Sequence, residues 1–342
     1  MGRKPTVNRH LPPHMRARIR SGKTYYFFDL GGRPRKESPL GTDYIEALRK
    51  YVELAGDETP VHEATFDDLS KKYKLEEIPS KAESTRRVQN SDIKHLDKFF
   101  AKAPLGEIRP MHMQQFLQFH KATPTTANRC KRLFSSMWNK ARAWGYTDEP
   151  NPCTGIAGFT LGKRETYTTD EVFKAVWECA SEPLRDAMDL TYLTGQRPGD
   201  ALKSTEHEIS DSYLSIQQGK TKQKLRIAIV GELAALIDRI KERKRKYKVV
   251  HTALLVNTQG MQLTKAVLRK HFDAAREKAC EKYPELEPEI KAFWFYDLRA
   301  KAADDKAEEI DEQAASDLLG HESTKTTRRH YLRRGKKVMP TK

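Results

Sequence analysis

The N-terminal part of the chain alternates apolar and polar residues with the period of two that is typical of strands. "HMRARIR" (14–20) places apolar residues between arginines, which predicts a strand with one apolar and one basic face. "TYYFFDL" (24–30) predicts a second strand that ends at two glycines, and "ESPL" (37–40) predicts a third. The arginines of the basic face are Arg16, Arg18 and Arg20.

Beyond these strands the apolar spacing becomes helical. Thr42 is expected to cap a short helix, and the apolar side of that helix carries Ile45, Leu48 and Val52. An acidic, proline-bearing segment (55–64) predicts a linker, after which three apolar stripes with a 3.6-residue period predict a helical domain with these residues in its core. The stripes are Ile93, Leu96, Phe99 and Phe100; Met113, Phe116 and Leu117; and Cys130, Leu133, Phe134, Met137, Trp138 and Ala141.

The C-terminal half mixes helical and strand periods. Thr168 and Glu171 predict a capping box at the start of a helix. "YLSIQQGKTKQKLRIAIV" (213–230) alternates on both sides of a lysine-rich turn and predicts a β-hairpin. A very basic helix is expected at 238–248, with its charges on a solvated face. The whole pattern predicts a multidomain α+β protein.

The net charge of the chain indicates which classes of partner it can bind. Its 342 residues are too many for one typical domain, and 63 Lys and Arg against 47 Asp and Glu give a net charge of +16. Such an excess points to nucleic acid or an acidic membrane surface. No apolar run approaches the roughly 20 residues of a membrane span, so nucleic acid is favoured. Small sheets fit the DNA major groove. Arginines on a strand are ordinarily just solvated, but three of them aligned in a strongly basic segment favour DNA binding by Arg16, Arg18 and Arg20.

The cysteines and the N-terminus indicate an intracellular protein. The N-terminal segment has no apolar core of the kind that a secretory signal contains. The four cysteines form no CxxC pair, which indicates reduced thiols rather than a disulfide framework or a zinc site. They are Cys130, Cys153, Cys179 and Cys280.

The C-terminal half also contains, in order, the groups that nucleophilic attack on a phosphodiester requires. Fixed cations must face the developing charge, an acid must protonate the leaving oxygen, and a hydroxyl must attack. Each candidate alone is a weak signal, since a lone arginine or tyrosine is more often structural. The candidates are Arg197 with Asp200 one helical turn later, Lys220 at the hairpin tip, Tyr296, Arg299, His321 and Tyr331. Lys222 and Lys224, on the same hairpin, are the alternatives to Lys220 and are also expected to bind DNA.

Taken together, the set resembles the tyrosine recombinases, and among them the phage integrases of the lambdoid type. That family has an arginine in a TGxRxxE/D setting, a hairpin lysine, an H-x-x-R, an LGH and a tyrosine shortly after. Here "TGQRPGD", "QGKTK", "FYDLR", "LLGH" and the last tyrosine hold these places. "MGRKPTVNRHLPP" followed by "YYFFD" is similar to the family's arm-site-binding domain, and residues 65–160 are similar to its helical core-binding domain.

The resemblance implies a fold in three parts. Residues 1–60 are expected to form a small β-sheet domain that binds arm-site DNA, and residues 61–160 an all-helical, SAM-like core-binding domain. Residues 161–342 are expected to form a mixed, mainly helical catalytic domain with a β-hairpin, which is the tyrosine recombinase fold.

The resemblance also implies a reaction. A site-specific recombinase of this kind cleaves and rejoins DNA through a 3′-phosphotyrosyl intermediate, and so integrates or excises a phage or mobile element. No metal ion or other cofactor is implied. The implied roles are nucleophile for Tyr331, transition-state stabilisation for Arg197, Arg299 and His321, proton donation for Lys220, and support of Arg197 for Asp200.

The implied partners are double-stranded DNA at core and arm sites, and three further copies of the chain in a homo-tetramer. A DNA-bending host factor and an excision factor are also implied, and the expected compartment is the cytoplasm of a bacterial host. The short basic tail, 335–342, is expected to pack on a neighbouring subunit.

Two departures leave alternatives open. Tyr296 stands where the family usually has a histidine; a phenol can hold a phosphate oxygen but is a poor proton acceptor at neutral pH, so Tyr296 is either a phosphate ligand or a packed aromatic. The spacing from His321 to Tyr331 is one residue longer than usual. The alternative functions are a catalytically decayed DNA-binding accessory or repressor protein, and a topoisomerase IB-like or telomere-resolving enzyme.

Overall fold

The computed structural model describes residues 11–55, 64–248, 251–335 and 340–341. The chain divides into two compact units, Met1–Leu161 and Gly162–Lys342. Most of the predicted linker, residues 56–63, lies outside the described residues. Within the described part of the chain, every helix is too short or too polar to cross a membrane.

The N-terminal strands form a three-stranded antiparallel sheet in the order β1-β2-β3, and a helix packs on it. The small core between them joins apolar residues of the strands to Ala47 and Tyr51 of the helix. This confirms the three predicted strands. The elements are β1 (Met15–Arg20), β2 (Lys23–Gly31), β3 (Lys36–Gly41) and α1 (Tyr44–Ala55).

The apolar face of β1 is buried only at Met15, and Ile19, beside the turn into β2, is 77% exposed. Two details of this region differ from the prediction. Asp43, not Thr42, caps α1, since its carboxylate accepts the first free N–H groups of the helix. The predicted apolar stripe of α1 is only partly right: Leu48 packs against the core, whereas Ile45 and Val52 are exposed. The buried residues of the helix are Ala47 and Tyr51.

The second part of this unit is a bundle of four helices, α2 (Phe66–Glu76), α3 (Glu83–Phe100), α4 (Pro110–Phe119) and α5 (Pro124–Ala143). The residues of the three predicted stripes are buried apart from the partly exposed Phe99, and all except Leu117 belong to or pack against its core. Stacked and tilted rings fill the centre, for example Phe66 on Phe134 with ring centres 5.5 Å apart. The helical period alone therefore located this core, as expected for long amphipathic helices.

The second unit is mainly helical and contains one small antiparallel sheet in the order β4-β5-β6, whose last two strands are the predicted hairpin. Helices pack around it over a shared apolar core. The elements are α6 (Asp170–Glu178), α7 (Glu182–Thr194), α8 (Pro198–Ala201), β4 (Ile209–Ser210), β5 (Tyr213–Gln217), β6 (Lys224–Ala228), α9 (Gly231–Arg245), α10 (Lys265–Lys282), α11 (Glu287–Ala292), α12 (Asp297–Glu309), α13 (Glu312–Leu319) and α14 (Thr324–His330).

Two predictions for this unit are corrected. Thr169, not Thr168, caps α6, and its hydroxyl accepts the N–H of Val172. The basic helix α9 does not present all its charges to solvent, because Arg243 and Lys244 are buried. Buried acceptors explain the difference: the Arg243 guanidinium lies 2.8 Å from the carboxylate of Asp186 on α7, and the Lys244 ammonium donates to a backbone carbonyl.

Candidate active site

Arg197 is presented by the sharp connection between α7 and α8. Gly195 ends α7 in the left-handed conformation, with φ 62°, and Pro198 begins α8, so Arg197 lies on an extended segment between two rigid helices. Its guanidinium donates to the side-chain carbonyl of Gln218 at 2.9 Å. Asp200, expected to support Arg197, lies 4.0 Å from it.

Asp200 also contacts the β-hairpin. Its carboxylate accepts the backbone N–H of Gly219 at 3.0 Å, immediately before Lys220 at the hairpin tip. All three lysines are exposed, but Lys220 lines a large cavity, whereas Lys222 and Lys224 are absent from the described lining of that cavity. The position of the tip therefore favours Lys220 over its two alternatives.

Arg299 is fully buried on the first turns of α12. Its two terminal nitrogens donate to the backbone carbonyls of Gly195 at 2.6 Å and Leu319 at 2.8 Å. The guanidinium carbon also lies 5.1 Å from the centre of the Tyr331 ring, close enough for a cation–π contact. This arginine therefore places a fixed positive charge directly behind the candidate nucleophile, and burial lowers its pKa.

His321 follows the left-handed Gly320 that ends α13. Its Nε2 lies 3.2 Å from Arg299 and its Nδ1 2.8 Å from the hydroxyl of Thr327. A guanidinium can only donate, so Nε2 accepts and Nδ1 carries the proton. Burial, together with the charges of Arg299 and Arg197, lowers the pKa of His321 to about 4, so the ring is neutral at pH 7.

Tyr331 lies at the C-terminal end of α14, half-buried, and its ring packs beside that of His321 with centres 5.1 Å apart. Its hydroxyl is 3.4 Å from the hydroxyl of Tyr296. Burial would raise the pKa of Tyr331, but the hydrogen bond with Tyr296 and the charges of Arg299 and Arg197 outweigh it, so this pKa is lowered. Burial and the same hydrogen bond raise the pKa of Tyr296.

One cavity of about 1410 Å³ joins these groups. Arg197, Lys220, Tyr296, His321 and Tyr331 line it, and Arg299 contacts it from beneath through the Tyr331 ring. Further cations on its wall outnumber the two acids there, Glu165 and Asp297; they are Lys163, Arg164, Lys325, Arg328, Arg329, Arg333 and Arg334. A site of this size and sign suits a phosphate on a polyanion rather than a small neutral molecule.

The segment directly after Tyr331 packs on its own unit. The backbone N–H groups of Arg333 and Arg334 donate to the carboxylate of Asp304 on α12. The Arg333 side chain donates to the buried Asp297 at 2.7 Å. These contacts hold Tyr331 from its C-terminal side. Most of the tail that was expected to pack on a neighbouring subunit, 336–339 and 342, lies outside the described residues.

Sequence reasoning missed several residues that position these groups. Gln218, in the hairpin loop, and Gln196, directly before Arg197, are buried and hydrogen-bonded to each other. Arg164 pairs with the buried Asp297 at the cavity wall. Both glutamines are close in sequence to candidate residues, in "TGQR" and "QQGK". This proximity could have marked them as neighbours of the site, but no sequence pattern predicts that their amides form a hydrogen bond.

The arginines of the N-terminal sheet lie outside this site. Arg16 pairs with Asp29 at 2.9 Å, and Arg18 with Glu37 at 2.7 Å. Arg20 is exposed at the end of β1. Two of the three therefore already have acidic partners within the sheet.

The chain is similar to known proteins along most of its length. The phage integrase family matches residues 167–337, and the phage integrase N-terminal SAM-like domain matches residues 65–120. The integrases of Escherichia phage lambda and Enterobacteria phage 434 are each 27% identical to this chain, over 94% of both chains.

Solved structures show the same fold. A lambda integrase tetramer bound to a Holliday junction covers 98% of this chain and 99% of its own, with a TM-score of 0.70 and 21% identity. A lambda integrase dimer bound to a COC′ core site has the same coverage, with a TM-score of 0.69 and 22% identity. Because the family match alone spans half of the chain, this protein belongs to the phage integrase family, whose members are tyrosine recombinases.

Proposed function

We propose that this protein is a site-specific DNA recombinase that integrates or excises a phage or mobile element, with Tyr331 as its nucleophile. The observation that carries the proposal is the convergence of Arg197, Lys220, His321 and Tyr331 on one basic cavity, with Arg299 fixed behind the tyrosine. These residues come from elements far apart in sequence. Their meeting provides the donors, acid and hydroxyl that phosphodiester cleavage requires.

The chemistry follows from the positions of the groups. The Tyr331 oxygen attacks the scissile phosphorus and forms a 3′-phosphotyrosyl bond, while the bond to the 5′ oxygen breaks. Lys220 gives its proton to that leaving oxygen, and the phenol proton passes to water in the open cavity. The phosphodiester energy is kept in the covalent bond, so a 5′ hydroxyl from a partner strand can reverse the step.

The two arginines supply the fixed charge. The terminal nitrogens of Arg299 donate to backbone carbonyls, which fixes the guanidinium in place. Its positive charge therefore stays beside Tyr331 while the tyrosine oxygen bonds to phosphorus. Arg197 uses one N–H on Gln218 and has four remaining for phosphate oxygens. His321 is neutral at pH 7, so its contribution is a hydrogen bond rather than a charge.

Tyr296 takes the place of the family's usual histidine. We propose that it acts on the nucleophile, Tyr331, rather than on the phosphate. Its hydroxyl is at hydrogen-bond distance from that of Tyr331, on the cavity side. A phenol of raised pKa is a hydrogen-bond donor rather than a base, so Tyr296 stabilises the phenolate that Tyr331 becomes. Asp200 supports the hairpin tip through Gly219, which places Lys220.

The rest of the chain binds DNA. Residues 1–60 form the proposed arm-site domain, 61–160 the core-binding domain and 161–342 the catalytic domain. Arg16, Arg18 and Arg20 are the proposed arm-site contacts, and the first two pair with Asp29 and Glu37 within the sheet.

The similarity to a tetramer on a Holliday junction supports a homo-tetramer on two duplexes. Binding both core and arm sites by one chain raises the effective concentration at each. The reaction takes place in the cytoplasm of the bacterial host, where a DNA-bending host factor and an excision factor remain predicted partners.

A nicked suicide substrate tests the proposal. Cleavage of DNA from a junction of the mobile element releases a short strand, so religation fails and the protein is trapped as a covalent adduct visible on a denaturing gel. Wild type is expected to form the adduct and Tyr331→Phe none, with equal DNA binding by both. A wild type that binds DNA but forms no adduct would establish a DNA-binding protein without strand cleavage. Supercoil relaxation without two-site recombination would indicate a topoisomerase-like enzyme instead.

A further inference from the structure

Two side-chain amides, Gln196 and Gln218, lie fully buried behind the cavity. The amide nitrogen of Gln218 donates to the side-chain oxygen of Gln196 at 2.8 Å and to the backbone carbonyl of Leu319 at 2.8 Å. The amide nitrogen of Gln196 donates to the carbonyls of Thr194 at 2.9 Å and Leu318 at 3.0 Å. The pair therefore ties the end of α7, the β-hairpin and the end of α13 together.

The oxygen of Gln218 is also fully used. It accepts a hydrogen bond from the Arg197 guanidinium at 2.9 Å and from the hydroxyl of Thr221 at 2.7 Å. Both N–H donors and both acceptor positions of this amide are therefore occupied, and the amide has one orientation that satisfies all of them. A buried polar network that is fully satisfied is rigid.

The Leu319 carbonyl connects this network to the second arginine. It accepts from Gln218 and from Arg299, each at 2.8 Å. The next residue, Gly320, has φ 65°, and a Cβ there would lie 2.9 Å from the Gln218 amide nitrogen. The close approach of Gln218 to this backbone therefore requires a glycine, which gives a physical reason for the "LGH" sequence.

We infer that Gln218 is a positioning residue for catalysis, which sets the spacing between the guanidinium groups of Arg197 and Arg299 and anchors the hairpin that carries Lys220. The inference rests on the proposed function. Its physical basis is that the two cations repel each other and would separate in an empty site, whereas one amide and one carbonyl hold both. A phosphate then meets donors already in place, without reorganisation during the reaction.

A test must distinguish positioning from simple support of the fold. Gln218→Met keeps the approximate volume of the side chain and removes all four hydrogen bonds. We compare single-turnover cleavage of two suicide substrates, one with an ordinary scissile phosphate and one with a methylphosphonate. The methylphosphonate is uncharged, so its cleavage depends much less on aligned guanidinium groups.

On the ordinary phosphate, Gln218→Met is expected to reduce the cleavage rate about 10- to 100-fold, the scale that misplacement by about 1 Å produces. On the methylphosphonate the loss is expected to be within about threefold, since the misplaced charge contributes less there. DNA affinity is expected to stay near the wild-type value. Gln223→Met is the matched control, because Gln223 is an exposed glutamine of the same turn and its replacement is expected to leave both rates unchanged.

The outcomes separate cleanly. Equal losses on both substrates, or a wild-type rate on the ordinary phosphate, would reduce Gln218 to a structural residue and overturn the inference while the proposed function stands. A wild type that forms no adduct would overturn the proposed function and this inference with it. If melting curves show that Gln218→Met does not fold, Gln218→Glu replaces it. This variant keeps the shape but loses the N–H donors, and the same difference between the substrates is expected.

Discussion

Replacing Arg299 by lysine separates what this residue does for the fold from what it does for the reaction. The guanidinium is fully buried and donates to two carbonyls, of Gly195 at 2.6 Å and Leu319 at 2.8 Å. A lysine keeps the positive charge but not the planar fork, so one ammonium cannot satisfy both carbonyls and also lie beneath the Tyr331 ring.

The magnitude follows from the bonds that are lost. One hydrogen bond from a charged donor is worth roughly 1.5–3 kcal/mol, and Arg299→Lys loses at least one, so we expect the free energy of unfolding to fall by about that amount. The cleavage rate is expected to fall further than the loss of stability alone would explain. Removing one fixed donor from a charge-stabilising site lowers the rate about 10²- to 10³-fold.

Two measurements on the same samples check this: urea unfolding for stability, and single-turnover cleavage of the suicide substrate for activity. Arg276→Lys is the matched control, because the Arg276 guanidinium also donates to two carbonyls, of Lys291 at 3.2 Å and Phe293 at 2.8 Å, but lies outside the described lining of the cavity. We expect it to lose stability and to cleave within about threefold of wild type, as distant sites act independently.

One result would refute the reasoning. If Arg299→Lys were destabilised as expected but cleaved DNA as fast as Arg276→Lys, then the fixed position of the guanidinium behind Tyr331 would have no catalytic effect. The planar fork of Arg299 would then serve the fold only, and any positive charge at this place would be enough for the reaction.

The other predictions concern titration and a buried carboxylate. Tyr296→Phe removes a hydrogen bond that lowers the pKa of Tyr331. The cleavage rate, measured from about pH 6 to 10, is therefore expected to rise at a higher pH than in wild type, and Tyr296→His is expected to reverse this shift. The pKa of His321 is lowered from 6.5 to about 4, so the unfolded chain binds its proton more readily; the stability that His321 contributes is complete above pH 6.5 and is lost as pH falls towards 4. Melting temperatures of wild type and His321→Gln across this range are expected to converge at low pH, and parallel curves would contradict the assignment. Asp297→Asn breaks buried pairs with two arginines and is expected to cost about 3–5 kcal/mol in urea unfolding, whereas Glu312→Gln at an exposed pair is expected to cost less than about 1 kcal/mol. Similar losses for both would show that burial of Asp297 does not strengthen its pairs.

Local patterns predicted the elements well where one period dominated. The stripe from Cys130 to Ala141 and the hairpin at 213–230 were both confirmed, because an amphipathic period is a direct consequence of helix or strand geometry. The cap of α6 was wrong, because adjacent threonines compete for one cap. The buried face of α1 was only partly right: Leu48 packs against the core, but Ala47 and Tyr51 are the buried residues.

The sequence by itself determined which chemical groups this protein has and in what order: two isolated arginines, a hairpin lysine, a histidine and a final tyrosine. Only the tertiary structure decided how they act. It buried Arg299 under the Tyr331 ring, and it joined Gln218 to Leu319, 101 positions away. The physical reason is that hydrogen bonds and desolvation depend on distances that packing sets, whereas periodicity reports only on neighbours a turn or a strand step apart.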